Sequence, residues 1–307
     1  MQPLISVIIP TFRRAEFLTR AVDSVLHQSY ENYEVLVVDD NGEGSPHREN
    51  VQALLSSHYQ DNPRVRLLQN ARNMGGAKSR NFGASQAKGD YLCFLDDDDV
   101  YLPDKLRDQV SFMRENDLEL SFTDIKMLNE KDVVVDFRDH SRYITATDNK
   151  TLLKLHLMHH LTPTDCYMFS RAGFEKTGGF QTRKVSQEFM LMLESIEKGL
   201  RIGYLKGVYA IQYIHSQGRI SQDSKRVSGD RELLRVKEQY FDRLDKKEIQ
   251  YIRFRFYAAL AVYFLRNKHF GSFFTHGIRA LITSPSSFFR EGSAMLRRVR
   301  GGQNGGI

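Results

Sequence analysis

The stretch YEVLVVDD (Tyr33–Asp40) is a nearly continuous apolar run that ends in two carboxylates. Strands of a parallel sheet show such runs, because helices bury them on both faces. Three more runs of this kind lie in the first hundred residues: ISVIIP (Ile5–Pro10), VRLLQN (Val65–Asn70) and DYLCFLDDDD (Asp90–Asp99). Helical patterns separate the runs. The sequence therefore predicts βαβ units and an α/β fold with a mostly parallel sheet flanked by helices.

The remainder of the chain indicates two further regions. From about Pro103 to Ser221, apolar runs and helical patterns alternate less regularly, as in LELSFTDIKML and RIGYLKGVYAIQYI. Beyond Ser221 the sequence is helical, aromatic and basic. We expect one α/β domain over residues 1–221, with halves at 1–100 and 101–221. A helical C-terminal extension over 222–300 and a disordered tail over 301–307 follow.

The composition is that of an ordinary globular protein, with 41% hydrophobic and 27% charged residues. The two cysteines, Cys93 and Cys166, have no metal-binding spacing. The start of the chain shows no secretory signal, and the longest uncharged run, FYAALAVYFL (Phe256–Leu265), is too short to span a bilayer. These features favour a reducing, cytoplasmic setting.

Positive charge is concentrated near the C-terminus. Residues 266–300 hold seven Lys and Arg residues against one acid, a difference that equals the net charge of +6. Aromatic and aliphatic residues repeat there at helical spacing, which suits the headgroup region of an anionic membrane. We expect peripheral association with the inner face of the cell membrane, although an ordinary helical packing module remains an alternative. The sequence has no recognised nucleic-acid motif, and no nucleic-acid partner is expected.

Polar clusters follow all four predicted strands. They are Pro10–Thr11, Asp39–Asp40, Asn70 and Asp96–Asp99. Ligands of open α/β sheets bind beyond the carboxyl ends of the strands, where these clusters are expected to meet. The sequence therefore predicts a single binding site at this edge.

The four adjacent aspartates repel one another, so stability does not explain them. A solvated acidic loop is the simplest alternative. Asp96, Asp97 and Asp98 at a strand end also suit a hard divalent cation, Mg²⁺ or Mn²⁺, whose remaining positions are filled by phosphate oxygens. Asp99 is expected to cap the following segment or to order its neighbours. A calcium loop of the EF-hand type is disfavoured, because its glycine and terminal glutamate are absent.

The segment NMGGAKSRN offers backbone amides at a predicted helix start, at Gly75 and Gly76, with Lys78 and Arg80 close by. This combination suits an anion such as a diphosphate, and a simple tight turn is the alternative. Asp39 and Asp40 could bind a base or ribose hydroxyls, or could cap the next segment.

The segments SVIIPTFRR, VLVVDD, NMGGAKSRNFG, YLCFLDDDD and GGF…QEF occur in the order found in inverting GT-A glycosyltransferases of family 2. The chain resembles that family over about residues 4–215. The resemblance implies a GT-A (Rossmann-like) fold, with residues 1–100 as the nucleotide-binding half and 101–221 as the acceptor-binding half. It also implies that Asp96–Asp98 are a DXD motif, which binds the metal that bridges the diphosphate of a sugar nucleotide.

The resemblance implies roles for the nucleotide-binding residues as well. The strand-end segments with Pro10 and with Asp40 would hold the nucleotide. Thr11 and Arg13 would line the uridine pocket, Asp39 would bind uracil, and Arg80 would help to hold the nucleotide.

An inverting transfer needs a general base that is separate from the metal ligands. The family usually places it in an acidic pair after a GGF turn, which here corresponds to Gln187 and Glu188. Glu188 is therefore the expected base, although Gln187 departs from the pattern and Glu188 as a helix-capping residue is the alternative. Glu194 and Glu197 on the same predicted helix are further candidates. His215 resembles a histidine that completes the metal shell in some relatives, and Arg219 and Ser221 could reach phosphate oxygens.

Together these features predict a metal-dependent inverting glycosyltransferase, a hexosyl- or N-acetylhexosaminyltransferase using Mn²⁺ or Mg²⁺. It would move a sugar from a UDP-sugar to a hydroxyl of a saccharide acceptor linked to polyprenyl diphosphate, in surface polysaccharide synthesis. A sugar nucleotidyltransferase is an alternative, but the glycine-rich phosphate loop of that class is absent. A non-catalytic protein that binds membranes or polyanions is another, and it leaves the strand-end acids unexplained.

Overall fold

The computed structural model of the protein describes residues 2–161, 163–183, 186–215 and 225–292, without the side chains of residues 225 and 226. The strands are β1 (Ile5–Thr11), β2 (Tyr33–Asp39), β3 (Val65–Gln69), β4 (Tyr91–Phe94), β5 (Val100–Tyr101), β6 (Leu120–Asn129), β7 (Val134–Arg138), β8 (Met168–Ser170) and β9 (Ile202–Ile214). The helices are α1 (Ala15–Leu26), α2 (Pro46–Tyr59), α3 (Gly76–Gln86), α4 (Lys105–Glu115), α5 (Asn149–His159), α6 (Arg171–Thr177), α7 (Gln187–Glu197), α8 (Lys225–Glu238), α9 (Lys246–Arg266) and α10 (Phe270–Thr283).

The strands form one sheet in the order β3-β2-β1-β4-β8-β6-β9-β5, with β7 paired to β6. The first four strands are parallel, as their apolar runs predict. The second half is mixed, because β8 runs antiparallel to β4 and β6 while β9 runs parallel to β6. RIGYLKGVYAIQYI, expected as more than one strand, is the single 13-residue strand β9, which pairs along the whole of β6.

Helices cover the parallel half of the sheet because their apolar faces match it. Every residue of β2 is buried. Helix α1 buries Leu18, Ala21, Val22 and Val25 at helical spacing. Helix α3 approaches the sheet so closely that a Cβ atom on Gly83 would lie 2.5 Å from Ile8 Cγ2. This close approach holds the start of α3 against the ends of β1 and β2.

The chain divides into two compact units. The first comprises residues 1–153 and 161–217 and contains the sheet; the second comprises residues 154–160 and the described part of 218–307. In the second unit α9 packs against α8 and α10, and it begins with a capping box formed by Asp245 and Glu248. The expected boundary at residues 221/222 and the expected tail at 301–307 lie outside the described residues. No helix in the described ranges combines the length and the apolar character needed to cross a membrane.

Candidate active site

Parallel pairing brings the strand-end clusters together. Thr11 is the register partner of Asp39 across β1 and β2. The pairing continues past the strands, because Asp40 N donates to Thr11 O (3.0 Å) and Asn70 N donates to Asp39 O (2.9 Å). The four clusters therefore lie on one edge of the sheet, as their positions in the sequence predict.

Asp39 is fully buried in this edge. Its Oδ1 accepts hydrogen bonds from the backbone amide (2.9 Å) and the side-chain Nδ2 (2.7 Å) of Asn41, and its Oδ2 lies 3.3 Å from Arg48 Nε. Asn41 Oδ1 in turn accepts from Arg13 N (2.9 Å), where the backbone has a positive φ of 59° and the side chain is exposed. Sequence reasoning did not single out Asn41 or Arg48, although Asn41 directly follows the strand-end acids.

Asp40 organises the loop that leads into α3. Its carboxylate accepts from Asn70 Nδ2, Met74 N and Gly75 N, each at 2.8 Å. Gly75 has a φ of +83°, a conformation that glycine adopts without strain. The contacts of Asp40 are therefore those of a residue that shapes this loop, and they occupy the amide of Gly75, which the sequence predicts as an anion ligand.

Arg80 links α3 to the acidic run. Its side chain is 12% exposed, and its guanidinium forms an ion pair with Asp96. Burial opposes the charge, yet the carboxylates of Asp96, Asp165 and Glu188 raise the pKa of Arg80 above its usual value. A Cβ atom at Gly76 would lie 3.0 Å from Arg80 Nη1, so a glycine here leaves room for the guanidinium. Lys78, on the same helix, is exposed.

The four consecutive aspartates alternate between two environments. The side chains of Asp96 and Asp98 are 30% and 14% exposed, whereas Asp97 and Asp99 are buried. Arg14 forms ion pairs with Asp97 (2.5 Å) and Asp98. Burial raises the pKa of Asp97 to about 7 even though Arg14 opposes this shift. The open carboxylates are therefore Asp96 and Asp98.

Asp99 and Asp165 anchor the acidic run from within. Asp99 Oδ1 accepts from Tyr213 N (2.7 Å) at the end of β9, and Asp165 Oδ1 accepts from Asp96 N (2.9 Å). Burial raises the pKa of both carboxyls, that of Asp165 to about 7. Oxygen atoms of Asp96, Asp99 and Asp165 lie within 4.8 Å of one another. Asp165 has no signal in the sequence, because it lies in the short turn before β8, far along the chain from the acidic run.

His215 completes the acidic end of the site. Its Nε2 lies 3.7 Å from Asp98 Oδ2 and its Nδ1 lies 3.6 Å from Glu130 Oε1. Its ring stacks against Phe17 with centroids 4.3 Å apart. The structure thus brings His215 beside Asp98, and its role as a metal ligand stays a prediction. Arg219 and Ser221 lie outside the described residues.

These side chains fit a hard divalent cation. Asp96 and Asp98 are the partly exposed carboxylates and His215 is their neighbour, whereas Asp99 and Asp165 are buried and already hydrogen-bonded. Among the described residues, the ligand atoms that lie close enough together to hold one ion are those of Asp96, Asp99 and Asp165. Asp98 and His215, the other expected ligands, lie 3.7 Å from each other, and their role as ligands stays a prediction.

Glu188 lies in the first turn of α7 and is partly buried. Its carboxylate contributes to the raised pKa of Arg80, which places it within electrostatic reach of the Arg80–Asp96 pair. The neighbouring Gln187 approaches the start of α3, because its Oε1 would lie 3.9 Å from a Cβ atom at Gly76. Further along α7, Glu194 accepts a hydrogen bond from Gln181 Nε2 (3.0 Å) and Glu197 is exposed.

Comparison with known protein families gives one match over more than half of the chain. The model for glycosyl transferase family 2 matches residues 6–178. An uncharacterized glycosyltransferase of Rickettsia felis is 37% identical over 127 residues, which is 41% of this chain and 20% of that protein. WfgD of Escherichia coli, a UDP-Glc:alpha-D-GlcNAc-diphosphoundecaprenol beta-1,3-glucosyltransferase, is 30% identical over 134 residues, 44% of this chain and 50% of that protein. The chain thus spans half or less of the length of these relatives.

Solved structures share the fold. Staphylococcus aureus TarS (1–349) in complex with UDP-GlcNAc superimposes with a TM-score of 0.59 at 16% identity, covering 94% of this chain and 92% of TarS. The mannosyltransferase PcManGT from Pyrobaculum calidifontis, in complex with GDP-Man and Mn²⁺, gives a TM-score of 0.55 at 16% identity over 97% of this chain and 88% of that one. At these identities the similarity establishes a GT-A-like fold.

Proposed function

Because the chain belongs to glycosyl transferase family 2, we propose that it transfers a hexose or N-acetylhexosamine from a UDP-sugar to a hydroxyl of a glycan acceptor, with inversion at the anomeric carbon. The observation that supports the proposal is the ion pair of the buried Arg80 with Asp96 of the acidic run, together with the effect of the Glu188 carboxylate on the pKa of Arg80. These side chains combine an acidic ion site, a buried cation and a separate carboxylate, which are the three groups that the reaction needs.

The nucleotide would lie across the ends of β1 and β2. Thr11 and the exposed Arg13 would border the uridine, and Asp39, held in place by Asn41, would face the base. The amide of Gly76 and the cations Lys78 and Arg80 would contact the diphosphate, whereas the amide of Gly75 is donated to Asp40. The complexes of TarS with UDP-GlcNAc and of PcManGT with GDP-Man support a nucleotide-sugar site in this fold.

A divalent ion held by Asp96, Asp98 and His215 would neutralise the charge that develops on the departing diphosphate. Mn²⁺ or Mg²⁺ suits this oxygen-rich set, and the Mn²⁺ complex of PcManGT supports the proposal. On the protein side, Glu188 takes the proton of the acceptor hydroxyl as its oxygen bonds to the anomeric carbon. The bond from that carbon to the diphosphate oxygen breaks, UDP departs, and Arg80 remains paired with Asp96 beside it.

We further propose that the acceptor is a saccharide linked to polyprenyl diphosphate, and that the protein reaches it at the inner face of an anionic membrane. WfgD acts on an acceptor of this kind, as its name states. In the second unit, α10 exposes a stripe of large apolar residues one helical turn apart: Phe270, Phe274, Ile278 and Ile282. Basic residues accompany the stripe at positions 266, 268, 279 and 290. This combination is typical of helices that lie in a membrane interface.

The experiment that tests the reaction is UDP release from a panel of UDP-sugars, with Mn²⁺ or with EDTA. The variants are Asp98→Ala, Glu188→Gln and, as a matched acid on the same helix, Glu194→Gln. We expect turnover that EDTA abolishes, that Asp98→Ala loses, and that Glu188→Gln lowers roughly 10²- to 10⁴-fold while Mn²⁺–UDP binding is retained. Glu194→Gln should behave like the wild type.

Two outcomes would contradict the proposal. Normal turnover in Glu188→Gln with loss in Glu194→Gln would move the base to Glu194. If no UDP-sugar binds or turns over in the presence of metal, the proposal that the protein uses a UDP-sugar donor is wrong.

A further inference from the structure

Asn81, the residue that follows Arg80 in α3, makes two hydrogen bonds to a turn 99 residues further along the chain. Its Nδ2 donates to Phe180 O and its Oδ1 accepts from Phe180 N, both at 2.8 Å. The amide side chain thus pairs with both backbone groups of one residue, as a strand would. Phe180 ends the glycine turn between α6 and the segment that leads to α7.

The turn is shaped to receive this side chain. Gly178 and Gly179 have φ values of +73° and +78°, and Gly179 N donates to Thr177 Oγ1 (3.1 Å). A Cβ atom on Gly179 would lie 2.6 Å from Asn81 Oδ1, whereas a Cβ atom on Gly178 would meet nothing within 4 Å. The two glycines share the same backbone requirement, but only Gly179 makes room for Asn81.

The contact lies between the two groups that the reaction requires. On the α3 side, Arg80 pairs with Asp96, and its guanidinium is 5.4 Å from the Phe180 ring centroid. On the other side, the backbone oxygen of Arg183, three residues after Phe180, accepts a hydrogen bond from Gln187 Nε2 (2.9 Å), and Gln187 precedes Glu188 in the first turn of α7. The Phe180 ring also packs edge-on against Phe94 of β4, with centroids 4.9 Å apart. The turn is thus held against α3 and β4, and the contact of Arg183 with Gln187 links the segment after the turn to α7.

We propose that Asn81 is a positioning residue, whose amide fixes the turn at residues 178–180 to α3 and so sets the base Glu188 at its distance from the Arg80–Asp96 pair. The inference rests on the proposed function, because it takes Glu188 as the base. Asn81 touches neither donor nor acceptor in this arrangement. Its loss should therefore slow the chemical step and leave donor binding unchanged.

The expected size of the effect follows from geometry. A displacement of a reacting group by about 1 Å can lower the rate roughly 10²-fold. Asn81→Ala should therefore lower kcat by between about 10-fold and 10²-fold, with the KM for the UDP-sugar and the Kd for Mn²⁺–UDP within about twofold of the wild type.

A matched pair of glycine variants separates positioning from general destabilisation. Gly179→Ala places a methyl group against Asn81 and should lower kcat as Asn81→Ala does. Gly178→Ala carries the same left-handed strain without that contact, so it should lower the melting temperature but leave kcat near that of the wild type. The double variant Asn81→Ala/Gly179→Ala should lose less than the product of the two single losses, because both act on one contact.

Hydrogen exchange gives a readout that does not depend on activity. In Asn81→Ala, exchange should rise at Phe180 and in the first turn of α7, whereas in Gly178→Ala it should rise at the turn only. If Asn81→Ala and Gly179→Ala lose no more kcat than Gly178→Ala, or weaken Mn²⁺–UDP binding in proportion, the positioning role is wrong. If the wild type turns over no UDP-sugar, the proposed function fails; unchanged exchange in α7 would then overturn the inference independently.

Discussion

The guanidinium of Arg14 lies between two carboxylates of the acidic run, Asp97 and Asp98. Burial of this group works against its charge, but the four neighbouring aspartates raise its pKa above the usual value. Arg14 therefore supplies at Asp98 the positive charge that a metal ion would also supply. An ion held by Asp98 would therefore compete with Arg14 for the same carboxylate.

This competition predicts that Arg14→Gln binds Mn²⁺ more tightly than the wild type in the absence of nucleotide. Removal of one competing positive charge should lower the Kd for Mn²⁺ about tenfold, equivalent to ~1.4 kcal/mol. The Kd can be measured by titrating free Mn²⁺ with electron paramagnetic resonance. Arg20→Gln is the matched control, because Arg20 donates to the backbone oxygen of Asp98 (2.7 Å) and not to its carboxylate. Weaker binding by Arg14→Gln would mean that Arg14 orients the carboxylates instead.

The buried carboxylate of Glu34 makes the stability of the fold depend on pH. Burial alone would raise its pKa, but hydrogen bonds from Lys88 N (2.6 Å), Ser6 Oγ (2.7 Å) and Arg66 Nη1 (3.0 Å) lower the pKa below its usual 4.5. Because the unfolded chain binds the proton more tightly, the stability contributed by the carboxylate is present above pH 4.5 and is lost as the pH falls through the folded pKa.

We therefore expect Glu34→Gln to lower the free energy of unfolding by ~2 kcal/mol at pH 7 and by less near pH 3. Urea unfolding of both proteins at a series of pH values measures this difference. A difference that stays constant down to pH 3 would contradict the assigned role of the charged carboxylate.

At the scale of elements, the position of each helix depends on how closely it can approach the sheet. Helix α3 lies against β1 and β2 because Gly83 has no side chain at the contact, and its start then lies beside Asp40. Strand β9 is fixed similarly at its far end, where Tyr213 N donates to Asp99. These two anchors bring Arg80 to Asp96 and His215 to Asp98.

Two helical glycines should respond in opposite directions to the same substitution. Gly83→Ala would place a Cβ atom 2.5 Å from Ile8 Cγ2 and 2.9 Å from Val38 Cγ2, and should lower the free energy of unfolding by ~2 kcal/mol. A Cβ atom on Gly277 in α10 would have no neighbour within 4 Å. Gly277→Ala should therefore raise the free energy of unfolding by ~0.7 kcal/mol, because alanine has the higher helix propensity. Urea unfolding followed by circular dichroism tests both. Equal effects would show that close packing at Gly83 is relieved at little cost.

At the scale of the whole molecule, the apolar stripe of α10 is the largest set of exposed hydrophobic side chains on one described helix. Its four residues are 56% to 74% exposed. Monomeric proteins rarely leave such a patch uncovered, and large exposed apolar patches mark interaction or membrane sites. The neighbouring positive charges favour an anionic lipid surface.

We expect the protein to bind vesicles that contain phosphatidylglycerol and to bind phosphatidylcholine vesicles less. Ile278→Glu/Ile282→Glu should weaken vesicle binding by at least about tenfold, because two apolar side chains no longer enter the interface. Thr275→Glu adds one carboxylate on the same exposed face, three residues from Ile278 and seven from Ile282, without removing an apolar side chain, so it isolates the effect of charge and should have a smaller effect. Vesicle co-sedimentation measures the affinities. Equal binding to both kinds of vesicle would contradict the proposal that the protein binds an anionic membrane.

The sequence by itself determined the parallel half of the sheet, because continuous apolar runs and helical periodicity are local properties that burial on both faces requires. It also predicted where a candidate site should lie, since the carboxyl ends of parallel strands meet by necessity, and the family resemblance added Arg80, Glu188 and His215 to the expected residues. Only the tertiary structure decided which carboxylates are open and which are internal anchors. The support from Asp165, the ion pairs of Arg14 and the contact of Asn81 with Phe180 join residues between 69 and 99 positions apart. A local sequence pattern does not predict such contacts, because they depend on how whole helices and strands pack against one another.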